Sequence, residues 1–318
     1  MRTFWLRGLT AAALAALSCA PSFAEDLEGA DLTKPPQASE AAPVELTGAL
    51  ARIKTSGKIT LGYRDTAFPF SYVRSPASDP QGYSIDLCEG VVGEIERELQ
   101  VAPLQVTYEK VTADTRIDSV ASGRVDLECG STTDTLERRK LVAFSPVTFV
   151  AGTKLMTKRE SGIAGIRDLK GRKLVVTSGT TNEKALRALN DKFALGVEIL
   201  AAPDHEASFD KLASGEADAF ATDDVLLNGL IASRKAGAAV QVVGDFLTFE
   251  PYGLMYAKDD PAMAGVVRRA FSAMAEDGQW AAIYHKWFLA PTPTGEDLEL
   301  PMSLQLTEAM RAMGGSGL

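Results

Sequence analysis

Histidine and cysteine are scarce in this chain of 318 residues, which contains two histidines and three cysteines. Neither residue recurs at the spacing typical of metal sites, or of a nucleophile with its base. The Ser-Gly-Thr-Thr stretch at 178–181 lacks the Gly-Lys-Ser/Thr ending of a phosphate-binding Walker loop. The sequence therefore predicts no cofactor, no metal and no catalytic residues, and we expect a protein that is not an enzyme.

Long apolar runs and net positive charge are also absent. The apolar stretch 9–17 follows Arg2 and Arg7 and is too short to cross a bilayer. With the small residues up to Ala24 behind it, segment 1–24 is typical of a cleavable signal peptide, which indicates export. The formal net charge of -9 argues against nucleic acid or an anionic membrane surface as a partner.

The segment behind the signal peptide has an unusual composition. Residues 25–45 are rich in Pro, Ala and acidic residues without an apolar period, so we interpret them as a flexible leader. Beyond it, Cys88 and Cys129 remain; export permits a disulfide, and the sequence leaves open whether these two cysteines pair. The remaining length suits two domains.

An internal repeat divides this remaining chain. Strands and helices alternate from Ile59 onward, which predicts an α/β fold with largely parallel sheets. RIDSVASGRVDLECG (116–130) and SFDKLASGEADAFAT (208–222) share Asp at the third position, Ala-Ser-Gly at the sixth to eighth and Asp at the eleventh. Each copy is typical of a helix, a glycine cap and a strand, so we predict two similar lobes. A chance match of a common helix ending is the alternative.

Two extended segments, 144–156 and 242–256, bracket the second copy. We expect the chain to cross from lobe 1 to lobe 2 in the first segment and to return in the second. Two crossings form a two-segment hinge, which favours a cleft that opens and closes. The predicted division is lobe 1 over 46–149 and 251–312, lobe 2 over 150–250, and a tail over 313–318.

Polar residues follow the strands at the edge where α/β sheets bind ligands. Ser131 to Thr133 follow the strand predicted over 125–129, and residues 178–181 follow a strand in lobe 2. Hydroxyls and free amides at two strand ends, one per lobe, indicate an anion held between the lobes. Helix capping is the alternative. Arg138 is near enough to Thr133 to fork two N–H bonds onto a carboxylate.

Further charged residues occupy comparable places. Arg64 ends a predicted strand, Arg116 lies near the start of the helix in the first repeat copy, and His205 lies at the equivalent start in the second. Asp223 follows the strand predicted in the second copy. A solvent-exposed position is the alternative for Arg138 and His205.

These stretches resemble the extracellular solute-binding proteins of polar amino-acid ABC importers, and among them the glutamate/aspartate binders. The resemblance covers 46–312 and is carried by GYRDTAFPFSY, DLECGSTTDTLERRKLVAFS, LKGRKLVVTSGTT, DHEASF and ATDDVLL. It implies a bilobal type II periplasmic-binding-protein fold. It also implies a periplasmic monomer that delivers L-glutamate or L-aspartate to inner-membrane permease subunits. The alternatives are a glutamine or asparagine binder, a subunit feeding a sensor, and a periplasmic dehydratase on the same fold.

The resemblance also implies a set of ligand-binding residues. They are Ser131, Thr133, Arg138 and Thr181 for the α-carboxylate, Asp223 for the α-ammonium group, and Arg64, Arg116 and His205 for the side-chain carboxylate. Two positions depart from the pattern: Ala113 replaces a serine that contacts the distal carboxylate, and Leu254 replaces a cysteine, so Cys129 cannot pair there. Three arginines against one aspartate complement a dicarboxylate amino acid, so we expect glutamate to bind in preference to glutamine.

Overall fold

The computed structural model describes residues 46–315. The predicted signal peptide (1–24), the predicted leader (25–45) and the last three residues of the tail lie outside the described residues. The helices are α1 (Gly48–Ser56), α2 (Tyr83–Leu99), α3 (Arg116–Ala121), α4 (Thr181–Phe193), α5 (His205–Ser214), α6 (Asp224–Ser233), α7 (Pro261–Glu276), α8 (Gln279–Tyr284) and α9 (Leu304–Ala312). Short 3-10 turns cover Arg138–Lys140, Arg159–Ser161 and Ile166–Leu169, and a π-helical turn covers His285–Leu289.

The strands within residues 46–315 form two five-stranded sheets and two small pairs. They are β1 (Lys58–Tyr63), β2 (Thr66–Ala67), β3 (Ser71–Tyr72), β4 (Gln105–Lys110), β5 (Leu127–Glu128), β6 (Val142–Phe144), β7 (Phe149–Ala151), β8 (Thr153–Lys158), β9 (Lys173–Thr177), β10 (Glu198–Ala202), β11 (Ala219–Asp223), β12 (Val240–Val243), β13 (Glu250–Tyr252) and β14 (Met255–Ala257). The sheet orders are β4-β1-β5-β14-β6 in lobe 1 and β10-β9-β11-β8-β12 in lobe 2.

The two sheets have the same topology. In each, four strands run in one direction, and the fourth strand of the order, β14 or β8, runs antiparallel to both of its neighbours. The largely parallel sheets predicted from the sequence are therefore confirmed. The reversed strands begin where β5 and β11 end, because each enters its sheet from the crossing between the lobes.

The repeated aspartates of the sequence do the same work in both lobes. Asp126 accepts a hydrogen bond from the backbone N–H of Thr60 at 2.8 Å. Its counterpart Asp218 accepts one from the backbone N–H of Lys173, also at 2.8 Å. Each ties the strand after a repeat helix to the neighbouring parallel strand. The internal repeat is thus a structural unit and not a chance match.

The crossings lie side by side, because β7 and β13 pair antiparallel with Val150 opposite Pro251. The lobe boundaries that we predict at 149/150 and 250/251 fall in this pair and stay a prediction. Lobe 2 buries apolar residues on both faces of its sheet, with Leu174 and Val176 on one face and Val175 on the other. This alternation is what a central strand covered by helices on both sides requires.

Two strand ends differ slightly from the sequence prediction. The strand predicted over 125–129 is only β5. The strand predicted in the second repeat copy is β11, so Asp223 closes that strand and Asp224 begins α6. The question left open about the cysteines is answered: Cys88 of α2 and Cys129 form a disulfide, with Cα atoms 6.1 Å apart.

None of the helices between residues 46 and 315 is long and apolar enough to span a membrane.

Candidate ligand-binding site

A narrow cavity lies between the two lobes, at the C-terminal ends of β1, β5, β9 and β11. It has room for a volume of only about 10 Å³ and is lined by Arg64, Arg116, Ser131, Thr133, Thr180, Thr181, Asn182, His205, Asp223 and Leu226. Seven of the eight residues predicted from the sequence are in this lining. The eighth, Arg138, lies beside it and donates from Nη1 to the Thr133 carbonyl at 2.8 Å.

Helix caps place the lobe 2 residues. The Thr180 hydroxyl caps α4 by accepting from the Glu183 N–H at 3.1 Å, and Asp204 caps α5 by accepting from the Ala207 N–H at 2.8 Å. The Thr181 hydroxyl is free of capping and points to the cleft. The sequence offers helix capping and contact with a ligand as alternatives for this stretch. In the structure Thr180 caps α4, and the adjacent Thr181 faces the cleft.

The lobes touch each other across the cleft. The hydroxyls of Thr133 and Thr181 are 3.3 Å apart, and Arg138 Nη2 lies 3.5 Å from the Gly179 carbonyl. Gly179 has a φ of +72°, and a Cβ there would lie 2.2 Å from Asp114 Oδ1. Only glycine combines this backbone with such a close approach, so position 179 permits the lobes to close.

Arg64 and Arg116 bring two positive charges to one end of the cavity. Their exposed fractions are 2% and 3%. Burial, and then the neighbouring Arg116, lower the pKa of Arg64 to about 10, so its guanidinium group stays charged at neutral pH. Arg116 Nη1 donates to the Thr132 hydroxyl at 2.7 Å. Within residues 46–315, no hydrogen bond reaches the Arg64 guanidinium group or Arg116 Nε. We call this the positive end.

His205 completes the positive end without adding charge. Its ring is buried, and Nδ1 shares a hydrogen bond of 2.9 Å with the Thr177 hydroxyl. Burial, followed by the charges of Arg64 and Arg116, lowers the pKa of His205 well below its usual value. The ring is therefore neutral at neutral pH, and among Arg64, Arg116 and His205 only the arginines carry positive charge.

Asp223 and Glu250 bring two carboxyl groups to the start of α4, which we call the negative end. Asp223 accepts from Asn182 Nδ2 at 2.7 Å and from the Tyr252 hydroxyl. Glu250 is buried and accepts from the Thr181 hydroxyl at 2.7 Å. Burial, and then the negative charge of Glu250, raise the pKa of Asp223 to about 7. The negative end thus crowds like charges, as the positive end does.

Arg138 joins the loops of both lobes. Its side chain is half-buried. Burial, and then the charge of Arg116, lower its pKa to about 9, so it also stays charged at neutral pH. The neighbouring Arg139 is exposed and pairs with Asp134 instead. The solvent-exposed alternative therefore does not hold for Arg138.

Several site residues escaped the sequence analysis. Glu128 is fully buried near the arginines, and Glu250 adds a second carboxylate beside Asp223. The count of three arginines against one aspartate is therefore wrong, because two more buried carboxylates belong to the balance. A charged residue within the apolar stretch DLECG was the available signal for Glu128. Glu250 lies in a hinge segment that had no motif of its own.

The chain resembles known proteins over most of its length. The sequence model of one family, the bacterial extracellular solute-binding proteins, family 3, matches residues 59–290. The chain is 45% identical over 263 residues to the L-glutamate/L-aspartate-binding protein of Pseudomonas aeruginosa, across 82% of this chain and 87% of that protein. It is 37% identical over 277 residues to the glutamate/aspartate import solute-binding protein of Escherichia coli, across 87% and 90%. A solved structure of the solute receptor for L-cysteine of Neisseria gonorrhoeae aligns with a TM-score of 0.66 and 27% identity, over 76% of this chain and 94% of that chain.

Proposed function

The chain belongs to the bacterial extracellular solute-binding proteins of family 3, and from this premise we propose that it captures L-glutamate or L-aspartate in the periplasm for delivery to an ABC permease. Its fold is the bilobal type II fold of the periplasmic amino-acid receptors. The named relatives are binding proteins and not enzymes, which confirms the expectation that this chain is not an enzyme.

The observation that carries the ligand assignment is that the site buries two groups of charge, the arginines of the positive end and the carboxylates of the negative end. An α-ammonium group suits the crowded carboxylates of Asp223 and Glu250, because its positive charge relieves their repulsion. A side-chain carboxylate suits Arg64 and Arg116 for the converse reason. The α-carboxylate then lies at the loop that carries Ser131 and Thr133, beside Arg138.

Glutamine and asparagine fit the positive end less well. Their amide group carries no charge and leaves two buried guanidinium groups without an anionic partner in the cavity. Leaving a buried charge uncompensated costs more than a lost neutral hydrogen bond. We therefore rank the dicarboxylate amino acids above the amides.

Capture follows from closure of the lobes. Contacts such as Thr133–Thr181 and the ion pair between Lys184 and Glu137 join the lobes only when the cleft is closed. A ligand that bridges the positive and negative ends adds further links between the lobes and shifts the population toward closure. We propose that the permease recognises this closed monomer, and that the signal peptide over 1–24 directs export.

Titration calorimetry of the chain without residues 1–24 tests this function. L-Glutamate or L-aspartate is expected to bind with a Kd of about 1 μM or tighter. Two matched ligands serve as controls: glutarate lacks the ammonium group, glutamine lacks the second carboxylate, and each should bind more weakly than glutamate. Tight binding of none of glutamate, aspartate, glutamine and asparagine would reject the assignment.

A further inference from the structure

Among the described residues, Glu128 is the one buried carboxylate that we assign to the positive end. It closes β5 and has no exposed surface. Its Oε1 atom lies 2.3 Å from the point where a Cβ on residue 130 would be, and Arg64 Cγ lies 3.1 Å from the same point. Gly130 therefore leaves the space in which the Glu128 carboxylate approaches the stem of Arg64. A larger residue at 130 would displace the carboxylate or the arginine.

Thr132 connects this carboxylate to Arg116 and also separates the two. The Thr132 hydroxyl donates to Glu128 Oε2 at 2.8 Å and accepts from Arg116 Nη1 at 2.7 Å. In the part of the chain that the structure describes, Glu128 makes no ion pair within 4.0 Å, and its Oε1 atom has no hydrogen-bond partner. Glu128 thus acts on the arginines through its charge, without occupying the N–H groups that a ligand needs.

The charges of the positive end then add up simply. Arg64 and Arg116 contribute two positive charges, Glu128 contributes one negative charge, and His205 is neutral. The net charge of these four buried groups is +1, which a single carboxylate cancels; Asp65 and Asp204 also act on Arg64, from less buried positions. Without Glu128 it would be +2, and one ligand carboxylate would leave a positive charge buried.

We propose that Glu128, held by Thr132, is a specificity-determining residue that sets the charge of the positive end to match one ligand carboxylate. The proposal rests on the proposed function, since it takes the side-chain carboxylate of glutamate to bind at Arg64 and Arg116. Glu128 does not touch the ligand; it adjusts how strongly these arginines attract an anion. It moderates affinity for glutamate and limits the penalty against a neutral side chain.

The variant Glu128→Gln tests this role, because glutamine keeps the shape of the side chain and its acceptor for Thr132. A full charge a few ångströms from buried guanidinium groups changes affinity by about tenfold or more. We expect Glu128→Gln to bind glutamate about tenfold more tightly, and the ratio of the glutamine Kd to the glutamate Kd to rise about tenfold. Calorimetry gives the glutamate Kd, and displacement of bound glutamate gives the glutamine Kd.

Two further variants separate the charge from other effects. Glu160→Gln removes one negative charge from an exposed site and should leave both Kd values unchanged. Glu128→Asp keeps the charge and should keep the Kd ratio of the wild-type protein. A structural role for Glu128 would instead weaken both ligands in parallel and make Asp at least as harmful as Gln.

The outcomes are distinguishable. A Glu128→Gln protein that folds, yet binds glutamate no more tightly or with an unchanged Kd ratio, overturns the proposal and leaves the proposed function standing. Failure of Glu128→Gln to fold overturns it too, because the carboxylate would then serve the fold. A wild-type protein that binds neither glutamate nor aspartate rejects the proposed function itself.

Discussion

The positive and negative ends of the cavity compensate their charges in different ways. At the negative end, Asp223 already accepts hydrogen bonds from Asn182 and Tyr252, and its raised pKa allows it to lose its charge to a proton. At the positive end, the arginines stay charged at neutral pH, and Arg64 has no hydrogen-bond partner for its guanidinium group within residues 46–315. The negative end can reduce its charge repulsion without a ligand, because Asp223 can bind a proton. The positive end needs an anion to do the same.

Because of this difference, the groups common to all amino acids and the side chain that differs between them are recognised by different residues. Every amino acid has an ammonium group and an α-carboxylate, so the negative end and Arg138 act on all amino acids alike. Only the side chain differs between ligands, and it is proposed to meet the positive end. Selectivity should therefore arise at Arg64 and Arg116, with affinity common to all ligands arising elsewhere.

Arg138→Ala should cause the largest loss of ligand affinity. Arg138 belongs to neither the positive nor the negative end. We expect binding of every amino acid ligand to weaken by about a hundredfold or more, because a charge-assisted hydrogen-bonding partner of the α-carboxylate is lost in a site shielded from water. Titration calorimetry measures the loss. Arg139→Ala is the matched control, since Arg139 is exposed and pairs with Asp134. Similar affinities for the two variants would contradict the role of Arg138.

Arg64→Ala breaks the positive end alone. Glutamate and aspartate should lose about a hundredfold in affinity, because their side-chain carboxylate loses a buried cationic partner, whereas glutamine should lose less than about tenfold. The same titrations with glutamate and glutamine give both values. Equal losses for the two ligands would show that Arg64 does not discriminate between side chains.

The pH dependence of binding probes the negative end. An ammonium group favours ionised Asp223, so a bound ligand lowers its pKa from about 7, and binding releases a proton between the two values. Affinity for glutamate should thus fall as the pH drops below about 7, by up to about tenfold per pH unit. The groups that act on Asp223 are those of Glu250, Asp224, Tyr252 and Asn182, and none of these residues is substituted in this experiment.

Asp223→Asn and glutarate serve as controls for this pH dependence. The variant lacks the titrating group and the ligand lacks the ammonium group, so both should flatten the profile. Calorimetry in buffers of different ionisation enthalpy counts the protons released. A wild-type profile that stays flat from about pH 5 to about pH 8 would contradict the coupling.

Thr181→Val gives the smallest expected effect, because it removes one hydroxyl that bridges Thr133 and Glu250 across the closed cleft. All ligands should weaken in parallel by about two- to tenfold, the worth of one hydrogen bond. Thr181→Ser keeps the hydroxyl and should bind as the wild-type protein does. A change confined to glutamate would place Thr181 at the positive end and contradict the division described above.

The sequence predicted the features that depend on local pattern. Repeated Asp-Ala-Ser-Gly spacing predicted two equivalent lobes. Strand ends predicted five of the residues that line the cavity, and the starts of the repeat helices predicted two more, Arg116 and His205. It could not predict the features that depend on the meeting of distant segments. Glu250 reaches Asp223 only through the pairing of β13 with β7, and Asn182 reaches it from α4. The neutral state of His205 likewise depends on burial beside two arginines, which no local pattern reveals.

The most direct test of the account is a crystal structure of the protein with L-glutamate bound. We expect the side-chain carboxylate between Arg64 and Arg116, the ammonium group on Asp223, and the α-carboxylate at Ser131, Thr133 and Arg138. In each of these contacts the donor and acceptor atoms should be about 2.7–3.2 Å apart, as in a hydrogen bond. A ligand in the reverse orientation, with its α-carboxylate on Arg64, would contradict the account.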